Sequence, residues 1–233
     1  KDAVVKLKTV SGGESDFFID GLQLEKKENG QVNVAGGDYR YGNDFSAGPW
    51  APGCKSALAD CVNVSWAGAK FYSMEGTFSV WLKPLFNRDD AEGHVVIGRS
   101  HMFYQLMFQP QGTLFFARAN EDEDKKENPW GAVSIPRPGK LEKGAWVLLT
   151  ATWSNADKRT RLYFNGEPLG EKNSFFETDM NRNETLQLGV WNKDSLDGLN
   201  GVLDDLKIFS RALSADEIKA EYERGMKVLS AVK

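Results

Sequence analysis

From Thr77 to Phe209 the chain reads as a succession of short alternating runs, each closed by a turn signal, and that punctuation favours antiparallel sheet over any other regular structure. In T-F-S-V-W-L-K-P, Phe78, Val80 and Leu82 fall on one face of a strand, because side chains repeat every second residue. Further strands are expected at His94–Gly98, Met102–Phe108, Thr113–Arg118, Trp146–Trp153, Thr160–Phe164 and Leu186–Trp191. Pro110-Gln111-Gly112 reads as one hairpin turn and Asn165-Gly166 as another. Such spacing predicts an all-β antiparallel β-sandwich. No internal repeat appears at solenoid or propeller periods.

The last strand leads into the one clear helix. Val202, Leu206 and Ile208 alternate with charged or bulky residues, and S-A-D-E-I follows. Ser214 can cap a helix, Glu217 can reach back to it as a capping box, and Leu213 can pack on Ile218 as a staple. Gly225 is the expected left-handed stop.

At 233 residues, 41% apolar and 12% aromatic, the chain can bury a sizeable core. A net charge of −4 gives no electrostatic case for nucleic acid or an anionic membrane, and no apolar run is long enough to insert in a bilayer. The sequence opens on Lys1 without Met or a signal peptide, so Lys1 is expected to be a processing or cloning boundary that says nothing about secretion. Cys54 and Cys61 are the only cysteines; a local disulfide in an oxidising compartment is the expectation, and two reduced thiols the alternative.

Three phrases carry a family resemblance: F-S-V-W-L-K-P at Phe78–Pro84, G-A-W-V-L-L-T-A-T-W with R-L-Y-F-N-G-E-P-L at Gly144–Leu169, and L-Q-L-G-V-W-N followed by G-V-L-D-D-L-K-I-F-S-R-A-L-S. From Thr77 onward the chain resembles the laminin-G-like jelly-roll domains of the concanavalin A-like lectin/glucanase superfamily. D-F-F-I-D-G-L-Q-L-E, at Asp16–Glu25, resembles the closing strand of jelly-roll carbohydrate-binding modules. Residues 1–30 are therefore expected to be either remnant strands of a preceding jelly roll or an N-terminal extension, with the laminin-G-like domain at 31–233. The resemblance implies a two-sheet jelly roll with one short C-terminal helix. It also implies glycan or protein binding and often a structural Ca2+, for which Asp204 stands at the family's ligand position. Asp38, Asp44 and Asp20 are candidates for the ion's other ligands, and a metal-free Asp204 bonded to loop amides is the alternative.

Catalysis finds little support. Glycoside hydrolysis needs two carboxylates facing one another, and no Glu-x-Asp-x-Glu phrase occurs. Asp204 and Asp205 are adjacent and, on a regular strand, point to opposite faces. Glu121 to Asp124 sit in a lysine-flanked run that reads as a solvated loop. An Arg99–His101–Tyr104 lyase site is the one remaining enzymatic arrangement.

Sugar binding calls for aromatic rings beside amides, guanidinium groups or acids, because pyranose C–H faces stack on rings while hydroxyls seek hydrogen bonds. Trp81, Trp146 and Trp153 lie in strand phrases and are expected in the core. Trp191 with Asn192, Trp130 and Trp50 are the expected platforms, and Arg99, His101 and Gln105 could line a sheet face. For each tryptophan the alternative is a ring that seals the sandwich edge. The function expected is a non-catalytic carbohydrate-binding module of a secreted or cell-surface multidomain protein. Its partners would be a polysaccharide or other glycan and neighbouring domains of the parent chain. The alternative is a structural or adhesion domain.

Overall fold

The computed structural model describes residues 75–98, 104–118, 132–173, 185–189 and 198–231, together with the strand segments 8–9, 17–19, 22–24 and 62–65. In chain order the strands are β1 (Lys8–Thr9), β2 (Phe17–Ile19), β3 (Leu22–Leu24), β4 (Val62–Ser65), β5 (Glu75–Pro84), β6 (His94–Gly98) and β7 (Tyr104–Gln109). Then come β8 (Thr113–Arg118), β9 (Val133–Pro136), β10 (Val147–Ser154), β11 (Arg159–Phe164), β12 (Glu167–Asn173), β13 (Thr185–Leu188) and β14 (Gly201–Phe209), followed by helix α1 (Ala215–Ala231). They build two antiparallel sheets. One has eight strands in the order β1-β2-β14-β5-β10-β11-β12, with β3 also on β14; the other has six, β4-β13-β6-β7-β8-β9. This is the all-β antiparallel sandwich that the strand spacing predicts, in the two-sheet jelly-roll form that the resemblance implies.

The core lies between the sheets and follows the alternation. Phe78, Val80 and Leu82 of β5 and Leu149, Ala151 and Trp153 of β10 point inward from the larger sheet, all essentially buried. Leu106 and Phe108 of β7 and Leu114 and Phe116 of β8 meet them from the smaller one. Both predicted hairpins form. Gln109 pairs with Thr113 across a three-residue loop whose last member, Gly112, has φ 82°, the left-handed residue such a loop requires. Asn165 (φ 53°) and Gly166 (φ 81°) make the two-residue turn between β11 and β12.

The N-terminal strands join the larger sheet. Leu206 pairs with Ile19 of β2 and Leu203 with Leu22 of β3, so β14 carries neighbours along both edges. Two edge strands escape the sequence pattern. The segment E-P-L-G-E-K-N of β12 is polar and carries Pro168, as an edge tolerates, and β9 is only four residues long.

Helix α1 packs on the outer face of the larger sheet. Its start is the predicted capping box: Ser214 N–H donates to Glu217 Oε2 at 2.9 Å, and Glu217 N–H donates to Ser214 Oγ at 3.3 Å. Leu213 and Ile218 are buried with Tyr163. The stop is different from expectation. Gly225 does not end the helix, which continues to Ala231. A Cβ on Gly225 would lie 2.3 Å from Trp81 Cζ2, so the glycine is there to let the helix lie against the indole. Trp81 in turn stacks on Tyr222 at 5.8 Å between ring centroids.

Two predictions follow from the helix seat. Helix propensity alone makes Gly225→Ala stabilising by about 1 kcal/mol. The clash with Trp81 outweighs that gain, and the substitution is expected to cost about 1–3 kcal/mol in urea unfolding, less in a Trp81→Leu background. A gain in stability would mean that the helix does not approach Trp81. The second concerns pH. Hydrogen bonds from the Arg211 guanidinium and the Ser214 amide hold the Glu217 carboxyl at about 2, below its ordinary 4.5. A depressed carboxylate stabilises the fold above its unfolded value and loses that contribution as pH falls through the folded one. The stability gap between the native chain and Glu217→Gln, about 0.5–1 kcal/mol at neutral pH for an exposed helix-start charge, should narrow from pH 4.5 downward and close near pH 2.

Candidate functional site

Of the residues nominated from sequence, the described structure places Tyr104, Gln105 and Asp204. Trp191, Asn192, Trp130, Trp50, Arg99 and His101 lie outside the described residues. So do Asp20, Asp38, Asp44, Cys54, Cys61 and the Glu121–Asp124 run.

Asp204 sits on β14 opposite Trp81, just before an irregularity in the pairing with β5. Its Oδ1 accepts the N–H of Asp205 at 2.8 Å, and Asp205 is left-handed with φ 46°. The register shift puts Asp205 and Leu206 against the single residue Val80, a β-bulge. It changes which side chains face the core: Leu203 and Leu206, three residues apart, both point inward, while Val202 is only half-buried. This corrects two expectations of strict alternation. Val202 does not share the buried face of Leu206 and Ile208, and Asp204 and Asp205 do not point to opposite faces. Both acids lie on the helix side, where Asp205 Oδ2 pairs with Lys207 Nζ at 2.8 Å and Lys207 reaches Glu221 of α1 at 2.7 Å. Burial pushes the Asp205 pKa up despite Lys207, whereas the Lys207 and Arg224 charges pull Glu221 down against the effect of its burial. These acids form a charge bridge between sheet and helix. Among the described residues no group of three His, Cys, Asp or Glu side chains is arranged to hold a metal ion. A calcium ion at Asp204 would need further oxygens from elsewhere in the chain.

Gln105 lies on the outer face of the six-stranded sheet. It is buried, and its side-chain amide points to Met107 Sδ at 3.1 Å. Its neighbour Tyr104 faces the other way, into the core, with its ring 5.3 Å from Phe78 and 5.2 Å from Trp153. The alternation of β7 thus separates Tyr104 from any outer-face site. His94 also points inward and stacks on Phe86 at 3.7 Å. Of the tryptophans expected in the core, Trp81 and Trp153 are buried, but only Trp153 lies between the sheets; Trp81 is under the helix, and Trp146 is half-buried.

Strand direction divides the remaining nominees. β6 ends at Gly98, β7 begins at Tyr104, β8 ends at Arg118 and β9 begins at Val133, all at one end of the smaller sheet. Arg99 and His101 follow the first of these ends in sequence, and Trp130 precedes the last. β13 runs antiparallel to β6, with Leu188 opposite Ile97 and Gly189 N–H bonded to Val96 O. It therefore leaves toward the opposite end, with Trp191 and Asn192 next in the chain.

A residue that sequence reasoning missed organises that opposite end. Arg137 is only 2% exposed. Its guanidinium donates to the carbonyls of Arg88, Asp90, Glu92 and Gln109 at 2.9, 2.6, 3.0 and 2.7 Å. Burial pushes its pKa down and the Asp90 charge opposes that. The motif R-P-G carries no signal for such a role, because the four acceptors are backbone atoms supplied by tertiary contact.

The laminin-G-like family model of the concanavalin A-like lectin/glucanases superfamily matches residues 62–219, about two-thirds of the chain. The chain belongs to this superfamily. The matched residues run from β4 through β14 into the start of α1, while β1 to β3 lie outside the match. No curated relative matches the chain. Among solved structures, it is similar to the receptor binding domain of botulinum neurotoxin D, with TM-score 0.57, 15% identity, and coverage of 91% of this chain and 53% of that one. It is also similar to the binding domain of botulinum neurotoxin DC in complex with SialylT, with TM-score 0.55, 13% identity, and coverage of 94% and 45%. A third is a structure of botulinum neurotoxin type C, whose cell entry is dependent upon interaction with two ganglioside molecules, with TM-score 0.56, 13% identity, and coverage of 94% and 44%. The chain spans about half the length of these proteins, and at such identities the likeness shows the fold. Among the described residues no helix is long and apolar enough to cross a membrane.

Proposed function

We propose that this laminin-G-like chain is a non-catalytic glycan-binding domain of a secreted or cell-surface multidomain protein. The observation that carries the reading is membership of a lectin-containing superfamily in a chain several of whose described acids are engaged in ion pairs. Asp157 and Glu171 pair with Arg161, Asp205 and Glu221 with Lys207, and Glu217 with Arg211. Carboxylates neutralised in this way are poor general acids and bases. Support also comes from the shared fold of toxin domains that bind receptors, one of them solved with SialylT and another tied to gangliosides.

The reading includes polysaccharide recognition by Trp130, Trp191 and Asn192, an oxidised Cys54–Cys61 pair and a structural calcium ion at Asp204 with Asp38 or Asp44. A glycan array followed by affinity electrophoresis tests the binding. Retention is expected, and loss of one aromatic platform should weaken it about tenfold or more. Because β9, which follows Trp130 in sequence, begins at one end of the sheet and β13, which precedes Trp191, stops at the other, Trp130→Ala and Trp191→Ala are not expected both to abolish binding of one short oligosaccharide. Folded protein that no glycan retains would defeat the proposal. For calcium, the expected outcome is a melting temperature raised by Ca2+ and restored to its starting value by chelator, with no such response in Asp204→Ala. Identical melting with and without Ca2+ removes the ion from the reading.

A further inference from the structure

Among the described residues Arg137 is the one arginine or lysine that is fully buried, and its guanidinium bonds only backbone oxygen. Nη1 serves the carbonyls of Arg88 and Asp90, and Nη2 those of Glu92 and Gln109. Four N–H groups thus meet four acceptors, in two pairs that match the fork of a guanidinium. Phe108 closes one side, its ring centroid 5.9 Å from Cζ. The fifth donor, Nε–H, has no partner among the described residues. Oxygens converging from separate segments on one positive centre are how proteins hold a bound cation. Here the cation is tethered to the chain.

Three of the four oxygens come from alternate residues of one connection, between β5 and β6. Asn87, Arg88, Asp89, Ala91 and Glu92 are exposed, so little apolar packing holds that connection in place. Asp90 N–H donates to Asn87 O at 3.1 Å and Glu92 N–H to Asp90 Oδ1 at 2.7 Å. Those bonds shape the turn; the guanidinium ties it to β7 and to the segment after β9. The tether itself starts from a fixed base. Pro136 and Pro138 flank Arg137 and restrict its backbone, and its N–H donates to Gly112 O at 2.9 Å.

We propose that the four carbonyls and the Phe108 ring are a guanidinium-selective cation site, filled in the native chain by Arg137 itself, and that residues 87–92 take their fold from the cation in it. The acceptors are neutral oxygens paired about a planar fork. A hard dication would call for carboxylate ligands as well, and an ammonium carries its three donors on one nitrogen and cannot span both pairs. The tether enters through Nε, which makes no bond. A free guanidinium ion therefore keeps every hydrogen bond of the site, and a chain shortened at Arg137 should accept it.

The test is thermal unfolding with hydrogen exchange of the 87–94 segment, on the native chain and on Arg137→Ala, Arg137→Met and Arg137→Lys. Each is measured with and without guanidinium chloride at about 20 mM, far below denaturing concentrations, against equal urea and sodium chloride. Arg137→Ala is expected to melt about 10 °C lower and to exchange the Asp90 and Glu92 amides about tenfold faster or more. Guanidinium should saturably raise its melting by about 2–4 °C and slow that exchange, and should do neither to the native chain. Arg137→Met fills the space without donors and should stay destabilised and unrescued; Arg137→Lys should fall between Arg137→Ala and the native chain. If Arg137→Ala fails to fold, Arg137→Met and Arg137→Lys decide: either one melting like the native chain overturns the site. So does an Arg137→Ala chain that guanidinium does not rescue, or that urea rescues equally. Rescue by Ca2+, beyond any rise in the native chain, would make it a metal site and overturn the assignment.

Discussion

Four aromatic rings tie the two sheets into one body. Phe78 and Trp153 come from neighbouring strands of the larger sheet, with ring centroids 5.0 Å apart. They meet Tyr104 and Phe116 from neighbouring strands of the smaller one: Phe78 is edge-on to both, and Trp153 stacks on Phe116 at 5.8 Å. Such pairs contribute about 0.5–1.5 kcal/mol each beyond the area they bury. The cluster depends on a residue without a side chain. Gly76 pairs with Trp153 across β5 and β10, and a Cβ there would come within 2.3 Å of the indole. The glycine gives the indole room in the middle of the sandwich.

With the interior filled in this way, the two outer faces are free to diverge. The larger sheet spends its outer face on the helix. Thr77 receives Leu213 N–H and donates to Arg211 O, Ser79 bonds Thr150, and Lys207 links Asp205 to Glu221 across the gap. Polar groups buried under a helix must find partners, and these do. That face is committed to structure. The smaller sheet bears no described helix on its outer face.

How much of this was legible in the sequence varies by residue. Phe78, Val80 and Leu82 announced their face by spacing, and the Pro-Gln-Gly and Asn-Gly turns announced their hairpins by backbone preference. Ser214 and Glu217 announced the helix start. Those signals are local, and a strand or cap needs only a few adjacent residues to express them. The candidate site was far less legible. Gln105 looked like a surface amide and is buried against Met107, while Arg137 and the hairpin around Gln109 passed for ordinary loop and turn.

Sequence alone therefore determined the class of fold, most of the strands from β5 onward, the capped helix and the family phrases, because each is written in short-range pattern. Tertiary structure alone decided that Gly225 serves Trp81 and not a helix end, that the bulge at Asp205 turns both acids toward the helix, and that Arg137 gathers four carbonyls. In each case the partner is distant in the chain: Trp81 lies on β5, Glu221 on α1, and the carbonyls on the stretch before β6 and, for Gln109, on β7. Which groups meet there depends on how the sheets pack, and no local pattern encodes it.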